Sequence, residues 1–373
     1  MFLYMENATN YGHVGGLQIL DAKTFPQPRS DEEQEGHMEA FADMVPFARK
    51  KLATVPLGFG HPFWVDDPDF DLEYHWRETA IPGEGTPQDV EKVVSRLAAR
   101  HLDRSRPLWE FHTIENIDNG QHCGVYSKIH HAAADGAAMM AVAMATMTMT
   151  PDIVTHPTPA NPWTPEATPS DLELFTKGFG EAVARPGKMA SWVRRAAREA
   201  LNQTDELRNA ISVSRDQNAA SRAPKTRFNA SLTPHRRWAY GSTPLDELKA
   251  IRKATGATVN DIVLCICGQM LREFLEERNE LPDESLIAMV PVNLREGEAT
   301  GSDGNHVGAI NGQIHTQIAD PVERLQAIHQ SMNAQKEMQK ALPAELQMDA
   351  LGMVPAWAMA QATRLAFRTR AGE

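Results

Sequence analysis

Hydrophobic positions recur along this chain at two spacings, one suited to strands and one to helices. "HVGGLQILD", from His13, predicts a strand, while "TPQDVEKVVSRLAARHLD", from Thr86, sets Val90, Val93, Val94, Leu97 and Ala98 on one face of a helix. "RPLWEFHTIENI" predicts a second strand that closes on a turn at Asp118-Asn119-Gly120. "HCGVYSKIHH" returns from that turn, so the two strands predict a hairpin. After Gly136, "AAMMAVAMATMTM" holds strong helix formers and no breaker.

Six prolines between Pro151 and Pro169 block both helix and internal strand, which predicts an extended connector. A helix is expected from Asp171 to about Asn209. Beyond it the strand and helix signals resume. "HRRWAYGST", "SLIAMVPVNLR" and "DGNHVGAINGQIHTQI" predict strands; "PLDELKAIRKAT", "DIVLCICGQMLREFLEERN" and "DPVERLQAIHQSMNAQKEMQ" predict helices. Both halves alternate the two kinds of element, which gives an α/β class with mixed sheets and flanking helices. At 373 residues the chain exceeds one ordinary core. The expected division is a lobe over 1–150, a linker over 151–170 and a second lobe over 171–373.

Composition narrows the function classes. The apolar fraction of 42% and charged fraction of 23% suit a globular protein. A net charge of −12 argues against a nucleic-acid partner, because neutralising phosphate requires a basic face. Cys123, Cys265 and Cys267 cannot form a disulfide framework, and their apolar surroundings suit a reducing, cytoplasmic setting. No run of about 18 apolar residues is present to cross a membrane, and the N-terminus lacks the basic and cleavage regions of a signal peptide. "KMASWVRRAAREAL" sets Met189, Trp192, Val193, Ala196 and Ala200 opposite Arg194, Arg195 and Arg198. Such a helix packs on the protein body or lies against an anionic membrane or lipid-droplet surface.

The candidate chemistry lies in "KIHHAAADGAAMM". On a strand, His131 shares a face with Ile129 and Ser127, and His130 points the other way with Lys128 and Tyr126. The two rings therefore cannot act side by side as a metal pair, and no metal site is expected. Asp135 suits the N-cap of the following helix, and Gly136 eases the turn. A histidine ending a buried strand is close to the pKa that a general base needs at neutral pH. In "TVND", Thr258 and Asp261 match a capping box, which leaves the amide of Asn260 available to substrate or a developing oxyanion.

"HHAAADG" also resembles the HHxxxDG signature of acyltransferases with a chloramphenicol-acetyltransferase-like fold. With "GHVGGLQILD", "LDRSRPLWEFHTIE", "GATVNDIVLCICGQMLR", "LIAMVPVNLR" and "GNHVGAI", the chain is similar to the bacterial bifunctional wax ester synthase/diacylglycerol acyltransferases over nearly its whole length. The resemblance implies a two-lobed fold and transfer of a fatty acyl group from acyl-CoA to a long-chain alcohol or diacylglycerol, with no cofactor. It implies His131 as general base and His130 as support, with Asp135 structural and paired to Arg295 from the other half, and room at Gly136. Trp109 is expected as a core anchor and Glu110 as a structural polar partner. The methionine run (Met139, Met140, Met144, Met147, Met149) suits either plain core or an acyl tunnel.

Members of the family generally continue past the "ATRLAFRTRAGE" region, so the resemblance implies a second lobe that is incomplete here. That leaves a competing expectation: a lipid- or droplet-binding homologue with impaired catalysis. A condensation-type enzyme fits "PLWE" and "PVNLR" less well.

Overall fold

The computed structural model describes residues 2–23, 36, 39–43, 45, 47–58, 60–134, 163–202, 223–293 and 307–340. In chain order the elements are α1 (Phe2–Met5), β1 (His13–Asp21), β2 (Lys50–Ala53), β3 (Phe63–Asp66), α2 (Leu72–His75), β4 (Trp76–Ala80), α3 (Pro87–Ala98), β5 (Trp109–Ile117) and β6 (His122–His130). They continue with α4 (Asp171–Asn202), α5 (Leu245–Thr255), α6 (Val259–Glu276), β7 (Ile287–Asn293), β8 (Val307–Gln313) and α7 (Pro321–Lys340).

The predicted hairpin forms. Asp118 and Asn119 take the left-handed φ values of 52° and 53° that Asp and Asn tolerate best among non-glycine residues. Strands β5 and β6 pair antiparallel across that turn, β1 adds antiparallel to β6, and β4 adds parallel to β5, giving a mixed sheet in the order β1-β6-β5-β4. Parallel neighbours need a crossover, and α3 supplies it between β4 and β5.

Both faces of this sheet are covered. Val90, Val93, Val94 and Leu97 of α3 pack on Ile81, Ile114, Ile117 and Tyr126, as the helical spacing predicts. On the other face Trp109, Phe111 and Ile129 pack against Phe41, Ala42, Val45 and Ala48. Trp109 is fully buried and donates its indole N–H to the Ala48 carbonyl at 2.8 Å, which satisfies its one polar atom.

The described end of the proline-rich connector has no regular structure. It lies on the first lobe, with Trp163 under Arg49 and the Glu166 N–H on Asp66 at 2.9 Å. In the second lobe, β7 and β8 pair antiparallel and α6 and α7 cover them, around Ile262, Cys265, Ile310, Leu325, Ile328 and Met332. Helices α5 and α6 meet at a bend of 104°. Gly256 makes the corner with φ 74°, a value costly for any residue with a Cβ.

One predicted strand does not form. "HRRWAYGST" (235–243) has no strand partner. Side chains hold this segment to the first lobe instead: Arg236 donates to the Thr9 carbonyl at 2.7 Å, and the Trp238 N–H bonds Ser95 Oγ at 2.8 Å. A side-chain acceptor takes the place of a ladder bond, so alternation alone misassigns the segment. No single helix among the described residues is long and apolar enough to cross a membrane. The side chains of Met189, Trp192, Val193, Arg195 and Arg198 on α4 lie outside the description, as does the methionine run.

Candidate active site

Strand β6 ends at His130, and His131 opens the turn that follows. Alternation holds up to that point. His130 is 1% exposed and lies on the α3 face with Lys128 and Tyr126, whereas Ile129 faces the Trp109 cluster. His131 is half-buried; its N–H donates to the Gly12 carbonyl at 2.8 Å, and its ring stacks on Phe2 with centroids 4.2 Å apart. One histidine is therefore sealed inside the lobe, and the other is half-buried at the strand end.

The sealed ring is closely held. His130 Nδ1 accepts the Ala132 N–H at 3.0 Å, so Nε2 carries the ring proton. Nε2 faces Glu6 Oε2 at 3.7 Å, just beyond hydrogen-bond reach, and has no other hydrogen-bond partner among the described residues. A Cβ on Gly12 would stand 2.2 Å from Nε2, so only glycine fits there. Glu6 also receives Arg104 Nε at 2.8 Å. Burial works against the charge on Glu6, but the facing His130 and Arg104 more than offset it and bring the carboxyl down to about 2.

Beside His130 runs a row of buried polar groups under the C-terminal end of α3. Lys128, fully buried, reaches Glu110 Oε2 at 2.9 Å and the Arg100 carbonyl at 3.2 Å. Register sets this pair, because Glu110 and Lys128 lie directly opposite across β5 and β6. Burial again opposes the Glu110 charge, and His112 and Lys128 overcome it, bringing that carboxyl to about 2. For Lys128 the balance is reversed: burial outweighs Glu110 and lowers its pKa. His13, opposite His130 in β1, bonds the Ala98 carbonyl at 3.0 Å. Burial and the neighbouring Lys128 bring its pKa down to about 4. The structural roles expected of Trp109 and Glu110 are the ones they occupy.

In the second lobe the capping box forms. The Thr258 N–H donates to Asp261 Oδ2 at 2.9 Å, and the Asp261 N–H to Thr258 Oγ1 at 3.2 Å. Asp261 is buried and also bonds His329 at 2.8 Å, so its contacts stay within that lobe. Burial raises its pKa, while His329 and Thr258 outweigh that and lower it. Asn260 is solvent-exposed on the first turn of α6. Asp135, Gly136 and Arg295 lie outside the described residues. Among the described residues no three His, Cys, Asp or Glu side chains are grouped to hold a metal ion.

The sequence patterns pass over Phe2 and Glu6, and they include Gly12, His13 and Arg104 only within family segments that assign them no role; these five surround the histidine pair. A usable signal exists for Lys128 and Glu110. Strand parity sets both on the α3 face, while their direct pairing depends on the register shift between Ile114 and Ile117.

The description "wax ester synthase/diacylglycerol acyltransferase catalytic domain" matches residues 1–263, and "WS/DGAT C-terminal domain" matches 303–370. A relative named "Probable diacyglycerol O-acyltransferase tgs2" from Mycobacterium tuberculosis is 36% identical over 363 residues, 95% of this chain and 76% of that protein. The structure of a wax ester synthase/diacylglycerol acyltransferase from Marinobacter aquaeolei VT8 superposes with a TM-score of 0.61 at 26% identity, covering 100% of this chain and 76% of that one. The first condensation domain of the calcium-dependent antibiotic synthetase shares the fold alone, at TM-score 0.51 and 14% identity, over 92% of this chain and 73% of that one. The two lobes are thus those of the condensation and chloramphenicol-acetyltransferase-like architecture. On the motifs, the matched domains and the similar structure, the chain belongs to the wax ester synthase/diacylglycerol acyltransferase family.

Proposed function

We propose that this protein is an acyltransferase that moves a fatty acyl group from acyl-CoA to the hydroxyl of a long-chain alcohol or diacylglycerol, with His131 as general base. The observation that carries the assignment to His131 is the contrast between the two rings: His130 is sealed and His131 is half-buried at a strand end. A base must come within hydrogen-bond reach of the proton it takes, and of the two residues only His131 is not fully buried.

His131 takes the hydroxyl proton as the alcohol oxygen attacks the thioester carbonyl. The tetrahedral adduct then collapses with cleavage of the C–S bond. The imidazolium returns the proton to the leaving CoA thiolate, so the products are ester and CoA with no covalent enzyme intermediate. Asn260 is the candidate donor to the developing oxyanion, and Arg295 the candidate partner of Asp135. Both substrates are amphipathic, which favours peripheral contact of this cytoplasmic enzyme with a membrane or lipid-droplet surface. No separate cofactor enters the step.

The test is CoA release with palmitoyl-CoA, read with hexadecanol, with diacylglycerol and without either. Alcohol-dependent release that falls by roughly 10²–10⁴-fold in His131→Ala supports the assignment. Equal release from His131→Ala and wild type removes His131 from the role. Lipid binding without any alcohol-dependent release favours the non-catalytic homologue.

A further inference from the structure

The histidine pair is gripped by a segment that lies far from it in sequence. Phe2 stacks on His131, the Gly12 carbonyl takes the His131 N–H, and Glu6, between them, faces His130. Glu6 is 6% exposed, so its charge is desolvated and needs compensation within the protein. His130 and Arg104 supply it, the latter through Nε at 2.8 Å, and the same guanidinium bonds the Leu3 carbonyl at 2.7 Å. His101 lies at 3.5 Å, and the Gly12 N–H points at Oε1 at 3.4 Å. His13 and Lys128 complete the titratable groups around the pair.

We propose that Glu6 is a positioning residue for the acyl-transfer step: its carboxylate anchors the 2–12 segment to Arg104 and holds the His130 ring with its proton on Nε2, which fixes the turn that aims His131. The chain of contacts is continuous. Glu6 faces His130 Nε2, His130 Nδ1 takes the Ala132 N–H, and Ala132 follows His131. From the other side, α1 and Gly12 hold the His131 ring and N–H. Glu6 touches no reacting atom, so its loss acts through geometry. A displacement of about 1 Å at a reacting group costs on the order of 10²-fold in rate.

This rests on the acyl-transfer reading, and the experiment separates the two. In the full chain, Glu6→Gln keeps the size and one acceptor oxygen, replaces the other with a donor and removes the charge. The expected result is a fall in kcat of roughly 10²-fold with KM for palmitoyl-CoA and hexadecanol within about two-fold, read at a temperature where the variant is fully folded. In a His130→Ala background the same substitution is expected to cost less than in the wild type, because part of its effect passes through that ring. Should Glu6→Gln fail to fold, Arg104→Gln removes the anchor at an exposed position, and a smaller fall in kcat is expected.

Side-chain NMR of ¹⁵N-histidine protein decides the geometry irrespective of turnover. The Nε2–H tautomer at His130 supports the arrangement, and the Nδ1–H tautomer overturns it. An unchanged kcat in the folded Glu6→Gln variant, or in Arg104→Gln where that replaces it, overturns the proposal. A fully additive double variant overturns it as well. Absence of any wild-type turnover, with the Nε2–H tautomer present, sinks the acyl-transfer reading and leaves the Glu6–His130 arrangement standing.

Discussion

Replacing Lys128 with methionine isolates the energetics of the buried row beneath α3. The substitution conserves most of the volume and removes a fully buried ammonium that lies 2.9 Å from Glu110 Oε2. Glu110, 6% exposed, then keeps a charge with only His112 beside it, at 3.5 Å, or takes a proton. The shift of its carboxyl from 4.5 to about 2 corresponds to roughly 3 kcal/mol of stabilisation of the charged form, shared among His112, Lys128 and Arg77. Breaking one side of a buried pair costs about 3–5 kcal/mol in general, so Lys128→Met is expected to lose roughly 3 kcal/mol. The Leu97 and Arg100 carbonyls also lose a donor.

Removing both charges changes the outcome. Lys128→Met with Glu110→Leu leaves no orphan charge, and apolar replacement of a buried pair is often near neutral. The two carbonyls still lack the lysine donor, which costs about 1–3 kcal/mol for a buried acceptor left unpaired and less at Leu97, whose carbonyl keeps the Arg100 N–H at 3.3 Å. The double variant is therefore expected to recover at least about 1–2 kcal/mol relative to Lys128→Met alone. Urea unfolding followed by tryptophan fluorescence reads the difference, since Trp109 sits in the same sheet. A single variant that loses less than about 1 kcal/mol would refute the reasoning. So would a double variant whose loss equals the sum of the two singles.

Gly12→Ala forces a methyl into the His130 ring, so it is expected to destabilise by about 1–3 kcal/mol and to lower kcat; a melting curve and the CoA-release assay check both. His130→Ala is expected to keep alcohol-dependent CoA release at a reduced kcat, whereas His131→Ala loses it; equal rates for the two variants would contradict the division of roles. For pH, the folded pKa of His13 is depressed from 6.5 to about 4, so its neutral form is the stable one. Its contribution is complete above pH 6.5 and is lost as pH falls toward 4, because the unfolded chain binds the proton first. His13→Gln is expected to flatten the decline of melting temperature between pH 6.5 and 4.5. Glu6 and Glu110 act lower, between 4.5 and about 2.

The sequence by itself determined the strands around the hairpin, the buried face of α3, the Thr258–Asp261 capping box and the family. These are local: each depends on periodicity, on a turn residue or on a contiguous motif, and each is written in neighbouring positions. Alternation also separated His130 from His131, because side chains on a strand take opposite faces whatever the partner. Only the tertiary structure decided which ring is sealed, since that depends on what covers each face. It brought Phe2, Glu6 and Gly12 to the pair, set β4 parallel to β5, and held 235–243 to the first lobe through Arg236 and Trp238 with no strand partner. A buried charge is tolerable only with a partner in place. Glu6 meets Arg104 and His130 across about a hundred residues of chain, a pairing that no local pattern encodes.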